Sequence, residues 1–121
     1  MLLNNISFYA KSIKLFKDWG TLEDWHQFKS KYTTYFIDID GVLFKNASQH
    51  FSPKWGESDP LSKNLSLIKT LYSSGTNQII FTTSRTEKFR EKTIKQLQSF
   101  GIKYHKIIFD LQHCKRVIIN D

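Results

Sequence analysis

The sequence predicts an α/β fold built on a mostly parallel sheet. Short apolar runs rich in β-branched residues alternate with amphipathic stretches. The runs are apolar at nearly every position, as strands covered on both faces are. Gly and Pro punctuate the amphipathic stretches where helices begin and end. With 121 residues, 40% of them hydrophobic and 15% aromatic, the chain makes one core-bearing domain and is too apolar for disorder.

Residues 2–19 set Leu2, Ile6, Tyr9, Ile13 and Phe16 at helical spacing, with Lys11, Lys14 and Lys17 elsewhere on the wheel, and Gly20 stops the pattern. Thr21 followed by Asp24 resembles a capping box and predicts a short helix over "LEDWHQFKSK", 22–31. Residues 1–33 are too few for a core of their own. They form a helical lead-in, expected to pack on the following domain or on a partner domain or second copy. The core domain spans 34–121. "TYFIDI" is its first strand, and an irregular polar stretch covers 45–60. "LSKNLSLIKTLYSS" is a helix with Pro60 at its entry and Gly75 just past its end. "QIIFTT" is the second strand, and "TEKFREKTIKQLQSF" is a helix closed by Gly101. "KIIFDL" and "RVIIND" are two further short strands.

The net charge of +7 and pI near 9.5 suit an anionic partner. The lysines are spread along the chain, which argues against a dedicated nucleic-acid face. Cys114 is the only cysteine, so an internal disulfide is excluded and a reducing compartment is expected. No stretch reaches the ~20 apolar residues of a membrane span. The first twenty residues lack the apolar run and cleavage site of a signal peptide, so a cytoplasmic protein is expected.

Chemistry concentrates at the strand ends. In an open α/β sheet, ligands bind beyond the carboxyl ends of the strands. The first strand ends in Asp38 and Asp40, the second in Thr82, Thr83, Ser84 and Arg85, and the last in Asn120 and Asp121. Two carboxylates about 5 Å apart repel by roughly 3 kcal/mol at an effective dielectric near 20. Either one acid becomes neutral or a cation sits among them. An all-oxygen set with few side chains suits magnesium, which keeps several waters. Asp38, Asp40 and Asp121 are therefore the expected Mg2+ ligands. A calcium loop is excluded, because Gly41 stands at position four instead of six and Gln49 at position twelve instead of Glu.

These residues resemble a known family. "FIDIDGVLF" resembles the first motif of the haloacid dehalogenase superfamily, whose phosphatases carry a hydrophobic strand and then Asp-x-Asp-Gly. "IIFTTSR" resembles the second motif and "RVIIND" the fourth, in the family's order and spacing over 34–121. The resemblance implies a Rossmann-like three-layer core and a magnesium-dependent phosphomonoester hydrolase. Asp38 would attack phosphorus and form an aspartyl-phosphate. Asp40 would protonate the leaving oxygen and later deprotonate water. Thr83 and Ser84 would hold phosphate oxygens, and the metal would offset repulsion between carboxylate and phosphate.

The match departs from the family in three places. The basic third motif falls to Lys115, with Arg116 second. Lys115 precedes Asp121 by six residues, about 20 Å of strand at ~3.3 Å per residue, so Arg85 is a substitute for the phosphate contact. The sequence stops after the fourth core strand, where the family continues, so a longer native protein is expected. The stretch "KNASQHFSPKWGESDP" is too short for a cap domain, so the cap is minimal and the site open. Lys45, His50, Lys54 and Trp55 are its candidate substrate contacts. His26, His105 and His113 are expected to be surface or packing residues. The runs "GTLEDW", "PKWG", "TSRTEKFR" and "KRVIIND" also resemble phosphatase-like domains found beside sugar nucleotidyltransferases in surface-polysaccharide biosynthesis. That implies a small phosphorylated substrate such as a sugar phosphate. The alternative is a non-catalytic binding or regulatory module on the same fold.

Overall fold

A computed structural model describes residues 20–121. The chain divides into two compact units between Lys31 and Tyr32. In the first, α1 (Leu22–Lys31) starts where the capping box predicts it: the Asp24 N–H donates to Thr21 Oγ1 at 3.1 Å. Trp25 stacks on Phe28, with Lys29 over the Trp25 ring. The helix expected over 2–19 lies outside the described residues.

The second unit runs β1 (Thr33–Asp38), α2 (Ser62–Ser73), β2 (Asn77–Thr82), a 3-10 turn (Glu87–Phe89) leading into α3 (Arg90–Ser99), and β3 (Lys106–Ile108). The three strands are all parallel, in the order β1-β2-β3, and helices make the two crossovers that parallel neighbours require. The result is a mixed α/β, Rossmann-like core on a small open sheet. Its register aligns Asp38 with Thr82 and Thr82 with Ile108, so the strand ends form one edge.

The core gathers where sheet and helices meet. Ile39, Leu43, Phe44, Ile79, Phe81 and Leu97 are fully buried, and the Phe44 ring lies 5.6 Å from that of Phe100. Helix α2 contributes Leu65 and Ile68, one turn apart on a single face. Helix α3 differs: its buried residues are Thr93, Gln96 and Leu97. Two polar side chains on the inward face of a helix require polar partners, and the site supplies them.

The expected fourth strand does not form. Val117, Ile118 and Ile119 are exposed and pair with no strand among the described residues. The placement of Arg116 is incompatible with that strand. Arg116 reaches the carboxyl end of β1 and pairs with Asp38. A parallel strand beside β1 would need Asp121 at that end and Arg116 about 17 Å below it, at ~3.3 Å per residue.

Candidate functional site

Asp38 ends β1, and its Oδ1 accepts the Ile39 N–H at 2.9 Å, which sets the carboxylate at the strand tip. The chain then turns back within one turn. The Ile39 carbonyl accepts the N–H groups of Val42, Leu43 and Phe44, and the Gly41 N–H donates to Phe44 O at 2.7 Å. Gly41 sits at φ +81°, and a Cβ there would lie 2.8 Å from Asn46 Oδ1. Gly41→Ala is therefore expected to cost about 1–2 kcal/mol in urea denaturation, mostly from the left-handed backbone.

Asp40 is held from beneath. Arg85 is completely buried, and its Nε and Nη2 donate to Asp40 Oδ2 and Oδ1 at 2.9 and 2.7 Å. Its Nη1 donates to Thr93 Oγ1 at 3.0 Å and to Gln96 Oε1 at 2.9 Å. Gln96 in turn donates to the Ser58 carbonyl at 3.0 Å. The two polar residues of α3 thus aim one guanidinium, which clamps one carboxylate in a two-toothed bracket. Every side-chain hydrogen bond of Arg85 runs to one of these internal partners.

Two hydroxyls follow β2 and part company. Thr83 is fully buried, and its Oγ1 accepts the Arg85 N–H at 3.0 Å, which shapes the turn. Ser84 is only half-buried, and its Oγ accepts from Arg116 Nη2 at 3.1 Å. Arg116 Nη1 stands 3.2 Å from Asp38 Oδ2. One guanidinium therefore bridges the ends of β1 and β2. The basic residue at the strand tips is Arg116; Lys115 is exposed and has no ion pair among the described residues.

The expected three-acid cage does not assemble. Asp121 is exposed with no hydrogen bond or ion pair among the described residues, because the segment carrying it does not join the sheet. No three His, Cys, Asp or Glu side chains among the described residues converge on a metal. Both Asp40 oxygens are given to Arg85. The Asp38 side chain is 39% exposed. A magnesium ion that keeps most of its waters needs only one or two carboxylates and a phosphate. The donors here fit that arrangement through Asp38, not a cage.

Around this site the loop 45–60 is anchored rather than free. Lys45 pairs with Asp59 at 3.2 Å, and the Trp55 ring meets Phe89 edge-on at 5.1 Å. His50 is exposed at the loop's tip, beside Phe51. At the start of α3, Arg90 holds Glu87 with two hydrogen bonds of 2.7 and 2.6 Å. Chiefly through these bonds, the Glu87 carboxyl titrates below its ordinary value of 4.5. A lowered folded-state value stabilises above the unfolded one and is lost as pH falls through the folded one. Wild type and Glu87→Gln should therefore differ in melting temperature at pH 7 and converge as pH falls through the folded carboxyl's lowered value.

Of the residues named from the sequence, Arg116 joins Asp38 and Ser84, and Arg85 holds Asp40. Sequence reasoning missed Thr93 and Gln96. The available signal was their position on the same stripe as Leu97, where an amphipathic helix ordinarily carries apolar residues.

These features define an α/β protein whose parallel sheet presents one exposed and one clamped carboxylate at its carboxyl edge. No family model matches the sequence, and no curated protein matches it. The fold is similar to that of a Vibrio cholerae target protein, with a TM-score of 0.53 and 14% identity over 73% of this chain and 79% of that one. It is also similar to a chain of the Pnkp1/Rnl/Hen1 complex, with a TM-score of 0.58 and 17% identity over 74% of this chain and 31% of that one. A second structure, of the Pnkp1/Rnl/Hen1 RNA repair complex, gives a TM-score of 0.55 and 18% identity over 72% of this chain and 28% of that one. The chain spans less than a third of those two relatives, and the likeness is one of fold.

Proposed function

We propose that the chain is a phosphomonoester hydrolase of the haloacid dehalogenase type, working through an aspartyl-phosphate on a small phosphorylated metabolite such as a sugar phosphate. The observation that carries this reading is the pairing of an exposed Asp38 with an Asp40 fixed two residues later by a buried Arg85. A purely structural carboxylate gains nothing from a neighbour left open at the same strand tip. The motif resemblance supports the reading, as does a fold shared with chains of an RNA repair complex, RNA being a phosphoester polymer.

In this reading Asp38 Oδ2 forms a bond to phosphorus as the ester P–O bond breaks. The departing oxygen takes its proton from Asp40, which for this step carries a proton and releases one of its two Arg85 contacts. Water then attacks the acyl phosphate, giving a proton back to Asp40 and phosphate to solvent, and Asp38 is regenerated. Arg116 passes from Asp38 to the phosphate oxygens, and the Ser84 hydroxyl donates to one of them. Magnesium held by Asp38 and the substrate phosphate would supply charge neutralisation.

The test is phosphate release from a small aryl phosphate, with magnesium and after chelation. Turnover that needs magnesium supports the reading, and none under any condition sinks it. Arg116→Ala should lower kcat/KM by about 100-fold, the loss of one charge-assisted contact pair, while Lys115→Ala stays near wild type. The opposite ranking would return the basic role to Lys115.

A second reading has one observation in its favour: both carboxylates already carry guanidinium partners. A non-catalytic module of a polysaccharide-biosynthesis protein, docking through residues 1–33, would need no more. Among the described residues no helix is long and apolar enough to cross a membrane.

A further inference from the structure

We infer that the chain carries a second site, for a phosphate-class oxyanion on a small molecule, at the opposite end of the sheet from Asp38. A cleft of about 490 Å³ lies there, lined by Lys69, Tyr72 and Ser73 of α2 and by Gly101 and Lys103 of the connection into β3. Both lining segments lead into the first residues of β2 and β3, whereas Asp38 and Thr82 end their strands. The six residues of β2 put about 17–20 Å between the two ends.

Two cations share this cleft, and no acid lines it. Among the described residues the ion pairs are Lys45–Asp59, Arg85–Asp40, Arg90–Glu87 and Arg116–Asp38, so neither Lys69 nor Lys103 has an acidic partner within 4 Å. Both sit near the carboxyl ends of α2 and α3, whose carbonyls favour nearby cations, and no carboxylate neutralises them. The two lysines suit a ligand that brings two negative oxygens, and lysine meets a phosphate as a point charge without demanding a fixed approach.

The rest of the lining is built to match. Gly101 has φ +68°, and Lys69 lies over it, its Nζ 3.7 Å from where a Cβ would stand, so Lys69 reaches across the floor of the cleft. The Tyr72 hydroxyl has no partner among the described residues, which leaves its donor free. Its ring lies 5.1 Å from that of His105, whose Nδ1 accepts the Ile79 N–H at 2.9 Å. The phenol is thus mounted on the sheet. The Ser73 hydroxyl proton is already given to the Lys69 carbonyl at 2.8 Å, so Ser73 offers the anion no donor.

The experiment titrates the isotope-labelled full chain with inorganic phosphate at constant ionic strength, following backbone amide resonances. Saturable shifts are expected at 69–73 and 101–103, distinct from any at 82–85 and 116 that report the Asp38 site. Lys69→Gln with Lys103→Gln should weaken the first set at least tenfold and leave the second set unchanged. Both lysines are exposed, so the double variant should keep its melting temperature. Shifts at the cleft that fail to saturate, persist in the double variant, or appear equally with chloride would overturn the site. Tighter, steeply salt-dependent binding of a short oligonucleotide there would also overturn it, assigning the face to nucleic acid instead.

Discussion

Methionine in place of Arg85 is expected to cost about 3–5 kcal/mol of folding stability, a large part of the roughly 5–15 kcal/mol a domain this size commands. The guanidinium is wholly buried and makes four hydrogen bonds, two of them to a carboxylate whose side chain is only 18% exposed. Methionine fills a similar volume but strands the Asp40 charge and leaves Thr93 Oγ1 and Gln96 Oε1 without their donor. Most of the loss is the penalty of an unpaired buried charge, so adding Asp40→Asn should recover a measurable part of it. The double-mutant cycle reads that coupling directly. Lysine should not rescue position 85, because one ammonium cannot reproduce a planar fork serving two side chains and a carboxylate at once. Urea denaturation checks all three variants. A loss under about 1 kcal/mol for Arg85→Met would show that the bracket is not what holds Asp40.

Asp38→Asn should do the reverse, leaving the fold intact and removing the chemistry. The asparagine Oδ1 still accepts the Ile39 N–H, and the pair lost with Arg116 joins two partly exposed side chains, so stability should change by no more than about 1 kcal/mol. An amide oxygen is a poor nucleophile toward phosphorus. Turnover of an aryl phosphate should fall about 1,000-fold or more, and the acid-stable, hydroxylamine-labile phosphoryl group expected on wild type should vanish. Retention of a tenth of the activity would rule out Asp38 as the acceptor.

The contrast between these variants shows what could be read along the chain. "YFIDIDGVLF" displays its own meaning: a β-branched run sets a strand, two acids end it, and a glycine permits the turn at φ +81°. Arg85 is equally visible as a residue after the second strand, but its direction is not. Whether it faces an outside phosphate or an inside carboxylate depended on Thr93 and Gln96, which lie on a different element. Thr83 and Ser84 are adjacent and chemically alike, yet one faces inward and the other the mouth, because neighbouring side chains leave the backbone in different directions. "RVIIND" has the composition of a strand and forms none: pairing depends on where the chain arrives, and here Arg116 lies against Asp38.

Local order was therefore fixed by local chemistry. Periodicity and turn residues, with a side-chain cap at α1, set the helices, the three strands and the acids at the strand tip, because those forces act between residues a few positions apart. The partnerships across the fold were decided only by packing: Arg85 beneath Asp40, Arg116 across Asp38 and Ser84, Asp121 left outside. The Arg85–Asp40 and Arg116–Ser84 pairs join residues 45 and 32 positions apart, and Arg116 with Asp38 spans still more. At such separations a charge has many possible partners, and only the folded geometry says which lies within reach.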